Sequence, residues 1–112
     1  MIDITTIRDI LATYKKYDWI LRRVLLTQQL KNQLGATADE MFHGVPIHDS
    51  EIDGAWFSRT PKPGPVAWEI RHLSDNPYAL LEHIDENAVE FEADLRRVES
   101  RLSETLLKAK SA

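Results

Sequence analysis

The chain has 112 residues, 43% of them hydrophobic and 29% charged, with a formal charge of −4 and no cysteine. This is the composition of one globular domain spanning 1–112 and not of a disordered chain, and it rules out disulfides, thiolate metal sites and a cysteine nucleophile. The negative charge disfavours nucleic acid as a partner. The first residues lack secretory features and no apolar run approaches the roughly 18 residues of a membrane span, so a cytoplasmic protein with no membrane contact is expected.

Charge is spread unevenly. Residues 1–34 hold six basic and three acidic groups, whereas residues 75–112 hold five basic and nine acidic. The first and last segments should therefore attract each other.

From Asp3 to Leu34, apolar residues recur in steps of three and four, at Ile7, Ile10, Leu11, Tyr14, Tyr17, Leu21, Val24 and Leu25. That spacing predicts one long helix, capped by Asp3 or Thr6, closed at Gly35 and roughly 45 Å long. Thr37 and Glu40 have capping-box spacing and suggest a further turn or two of helix over 37–44.

Pro46 then forbids a central helix. Asp53-Gly54 is a two-residue hairpin signal between flanks 48–52 and 55–59. The run Pro61-Lys62-Pro63-Gly64-Pro65 is a stiff connector, and Val66 to His72 alternates apolar and polar in the period of a half-buried strand. Residues 45–73 are expected to form a three-stranded antiparallel meander.

Asn76 as cap and Pro77 at the first helical position predict a second long helix. Its stripe is Leu81, Ile84, Ala88, Phe91, Leu95, Val98 and Leu102, a heptad-like pattern. The expected fold is thus α+β, with a long helix on either side of a short sheet. Two such helices would outreach a chain whose radius of gyration scales to about 13 Å. A homodimer joined through antiparallel helices would cover their apolar stripes.

The candidate chemistry sits on the expected sheet. Trp56, Phe57, Arg59, Trp68, Arg71 and His72 combine the aromatic and arginine side chains favoured at interface hot spots. On the second strand Trp68 and Ile70 share one face, and Glu69 and Arg71 the other. Aromatics at strand spacing also anchor cores, so part of this set should be buried. The two arginines could grip a carboxylate or phosphate, but the four glycines are isolated and form no phosphate loop.

His83 and Glu86, three residues apart on the expected helix, are weak metal candidates with no second ligand pair beside them. No nucleophile stands in a recognised context. The sequence therefore favours a non-catalytic, cofactor-free interaction or regulatory protein that acts as a homodimer and presents an aromatic–arginine patch, with another protein as a further partner. The alternative is a ligand-binding or metal-dependent enzyme using His72, His83, Glu86 and Arg71. A nucleic-acid binder using the basic first helix ranks third.

Overall fold

A computed structural model describes residues 2–60 and 66–111, with side chains through residue 108. The Pro61–Pro65 connector falls outside the described residues. Helix α1 (Ile4–Lys16) leads into strand β1 (Ile20–Leu26), followed by helices α2 (Gln28–Leu34) and α3 (Thr37–Met41). Strands β2 (Ile47–Asp49), β3 (Gly54–Arg59), β4 (Ala67–His72) and β5 (Ala79–His83) come next, and helix α4 (Phe91–Ser111) follows them. The class is α+β, as the composition of the elements suggested. The architecture is different: five strands in the order β2-β1-β3-β4-β5, with β1 and β2 parallel and the other neighbours antiparallel.

The expected helix over 3–34 is therefore three elements. Asp3 caps α1 by accepting the Thr6 N–H at 2.8 Å, but the helix ends at Tyr17. Asp18 takes a left-handed φ of 68°, and the Trp19 N–H turns back to the Tyr14 carbonyl at 3.0 Å. Beyond that break, aromatic and β-branched residues suit a pleated strand. A stripe at Leu21, Val24 and Leu25 fits helical spacing and strand β1 alike, so periodicity could not separate them. Thr27 then caps α2 through its hydroxyl, 3.2 Å from the Leu30 N–H, and Gly35 closes α2 at φ 54°. Helix α3 starts one residue earlier than the capping-box reading: Ala36 precedes it, with no side-chain cap.

The meander over 45–73 is likewise corrected. Its second half stands, because β3 and β4 are antiparallel neighbours. Its first half does not, because β2 crosses to pair parallel with β1, Val24 opposite Ile47. Asp53-Gly54 forms no hairpin. Instead Asp53 accepts the Thr27 N–H at 2.7 Å, tying the start of α2 to the start of β3. Gly54 fits the strand against Ile70, whose side chain would lie 3.4 Å from a Cβ at that position.

The long helix expected from Asn76 is also two elements, since residues 79–83 form edge strand β5 against β4. Asp85 accepts the Asn87 N–H at 2.9 Å in a local turn, and only from Phe91 does the chain become helical. The helices number 13 and 21 residues, about 20 and 32 Å, within a molecule of 39 × 33 × 23 Å. The excess helix length that argued for a dimer is gone.

The sheet is covered on both faces. Against one face, α1, α2 and α3 bury Ile7, Ile10, Val24, Leu26, Leu30, Phe42 and Phe57. Against the other, α4 buries Leu95, Val98 and Leu102 on Trp56, Trp68 and Ile70. The β1–β3 register slips between Leu21 and Arg23. This bulge turns both arginines toward α4, where the Arg22 guanidinium lies 4.9 Å from the Trp68 ring centre. Arg23 grips Glu92 with two bonds of 2.9 and 2.8 Å, and Arg22 pairs with Glu86 at 3.3 Å. The attraction expected between the basic first segment and the acidic last one takes this form.

Candidate functional site

A concave surface lies on the α1 face, at the end of the sheet where β1 begins. Helix α1 contributes Arg8, Leu11, Ala12 and Lys15, the last three lying three, four and seven residues beyond the first and so on one helical face. The facing wall comes from Met41, Phe42 and His43 at the end of α3, with Val45 beyond. Leu21 and Phe57 form the floor, and Trp19 and Ile20 form the lip. The cleft holds about 640 Å³, within the range of a ligand site.

An aromatic frame holds this cleft open. Tyr14 stacks on Phe57 with ring centres 4.0 Å apart and meets Trp19 edge-on at 6.0 Å. The Tyr14 hydroxyl donates to Glu69 on β4. Burial, reinforced by that bond to the Glu69 carboxylate, pushes the Tyr14 pKa up. The phenol therefore stays neutral and keeps α1 pinned to the sheet. Arg59 stacks its guanidinium 4.8 Å from the Trp19 ring centre and donates to the Tyr17 carbonyl at 3.2 Å, fixing the lip.

The floor is hydrocarbon and ring, and what it offers a bound group is removal from water. The rim is polar: Arg8 and Lys15 from α1, Glu40 from α3 and His43 just after it, all four exposed. Two apolar residues stand clear of the lip, Ile20 at 62% exposure and Tyr17 at 57%.

The structure distributes the expected patch over both faces. Phe57 and Arg59 converge on the cleft, one as floor and one behind the lip. Trp56 and Trp68 lie on the opposite face and are fully buried under α4, with the Trp56 N–H donated to Glu99 at 2.8 Å. Arg71 sits toward the other end of β4, donating to the carbonyls of His72, Ser74 and Asn76, where it holds the turn before β5. His72 is half-buried at the end of β4, opposite Gly54. His83 is exposed on β5, and its sequence neighbour Glu86 accepts from Arg22. Among the described residues no three His, Asp or Glu side chains are grouped to hold a metal ion. Nor is any described helix long and apolar enough to cross a membrane.

The residues that line the cleft, above all Arg8, Leu11, Trp19, Ile20 and Phe42, did not stand out in the sequence. The available signal was a cation on either side of Leu11-Ala12, followed by the Trp19-Ile20 pair. It was hidden because a continuous helix over 3–34 carries Trp19 and Ile20 away from Leu11. Comparison with protein-family models, curated proteins and solved structures finds no match to this chain.

Proposed function

We propose that this protein is a non-catalytic interaction module. Its cleft between α1, α3 and β1 receives an apolar side chain borne on an acidic segment of a partner protein. The observation that carries this reading is the pairing of an apolar floor with two cations, Arg8 and Lys15, two helical turns apart on one wall. Burying one Val or Leu side chain there contributes roughly 1.5–3 kcal/mol. Carboxylates beside it would meet the α1 cations and select the segment by charge. Glu40 on the opposite wall would fix the orientation by repelling acidic groups from that side.

Trp19 provides the test. It lines the cleft, whereas Trp56 and Trp68 lie under α4 and supply a constant background. Titrating the dilute protein with a short synthetic peptide carrying one valine between glutamates should change Trp19 emission saturably. Ala12→Glu, an exposed helical change with a small folding cost, should weaken the response by blocking the cleft with a charge of the wrong sign. An emission spectrum indifferent to the peptide would defeat the proposal, as would equal binding by Ala12→Glu.

A further inference from the structure

The segment between β5 and α4, residues 84–90, has a feature the cleft does not explain. Val89 is 99% exposed, flanked by the exposed carboxylates of Asp85, Glu86 and Glu90. It is an apolar side chain raised on an acidic loop, which is the chemistry the cleft selects.

The placement of this loop in the fold is equally specific. Ile20, Ser58, Trp68 and Glu82 are successive partners across β1, β3, β4 and β5, so the end of β5 and the beginning of β1 share one end of the sheet. The loop crosses that end on the α4 face, where Glu86 meets Arg22 at 3.3 Å and Glu92 meets Arg23 at 2.8 Å. It therefore travels back from β5 toward the position of β1. The cleft opens at the same end and beside the same strand, but on the α1 face.

We infer that the cleft is filled by the Val89 loop of a second copy of this chain, reciprocally, in a two-fold dimer. Consider a two-fold axis in the plane of the sheet, perpendicular to the strands and just beyond Ile20. Rotation about it places two molecules end to end, exchanges the α1 and α4 faces, and keeps each strand at its own position across the sheet. The loop of one copy, beside β1 on the α4 face, then meets the cleft of the other, beside β1 on the α1 face. The same operation returns the second loop to the first cleft, so the contact is isologous and closed. Asp85 and Glu90 approach Arg8 and Lys15, and Ile20 and Tyr17 on the lip of each copy are covered.

This inference rests on the cleft being a binding site, and the experiment separates the two. Sedimentation analysis of the full chain over a dilution series should show a monomer–dimer equilibrium that weakens with added salt. Val89→Ser, at a fully exposed position, should raise the dimer dissociation constant about tenfold or more. Arg8→Glu with Lys15→Glu should do the same, and adding Asp85→Lys with Glu90→Lys should restore the dimer with charges exchanged. A dimer indifferent to Val89→Ser and to the charge exchange overturns the inference. So does a monomer at every concentration. If that monomer's Trp19 emission still responds to the valine–glutamate peptide, the binding module stands and only the self-docking falls.

Discussion

Two polar anchors of the core each tie a ring donor to a carboxylate. The Trp56 indole is wholly buried, and Glu99 accepts its N–H. Glu99→Ala would leave that donor without its acceptor and should cost about 1–3 kcal/mol in chemical denaturation, with much of the loss recovered by Glu99→Gln. Tyr14 carries the other anchor. Its pKa is raised in the fold, so its contribution is complete below the unfolded value of about 10 and is lost as pH rises toward the folded value. The denaturation midpoint should therefore fall on going to strongly alkaline pH, and Tyr14→Phe should flatten that fall. A wild-type profile that superimposes on that of Tyr14→Phe would remove Tyr14 from the account. Glu92 has the reverse sign. Its bond to Arg23 lowers its pKa, so what it contributes is present at neutral pH and fades on acidification. Exposure to solvent keeps that contribution small.

At the scale of elements, what the sequence disclosed and what it concealed have one physical cause. The start of α1 was legible in Asp3 and the stripe Ile7, Ile10, Leu11 and Tyr14, and the core of α4 in Leu95, Val98 and Leu102. The alternation around Trp68 marked β4 and its two faces. Concealment came at β1 and β5, two strands that each adjoin a helix. Strand β1 and the β5 segment each carry apolar residues at steps compatible with a helix, and each is joined to a true helix with no proline or glycine between them. What separates α1 from β1 is Asp18 at φ 68°, a conformation that aspartate tolerates and that gives little warning in a sequence. Asp18→Val should cost about 1–2 kcal/mol by setting a Cβ-branched residue in that left-handed position, and Asp18→Gly should be far milder. Equal stability of the valine variant would show that the break is set elsewhere. The cleft was invisible for the same reason, since its lip exists only because α1 stops at this residue.

Across the whole molecule, β3 is paired on both edges and covered on both faces, while β2 is three residues long and β5 has one neighbour. Hydrogen exchange of the native protein should therefore find the slowest amides in β3 and in the stretches of β1 and β4 paired with it, and the fastest strand amides in β2 and β5. Leu102→Ala, beneath α4, should cost about 2–5 kcal/mol and speed exchange in β3 as well as in the helix, because Trp56 joins the two. The order of the elements also governs how the chain acquires this structure. All five strands precede α4 in the sequence, yet Leu95, Val98 and Leu102 of α4 pack over Trp56, Trp68 and Ile70. A chain emerging from the ribosome can complete its sheet and the α1 layer while two indoles still face water. During that interval the growing polypeptide is an adhesive surface, and it stays one until α4 docks or a chaperone shields the sheet in its place.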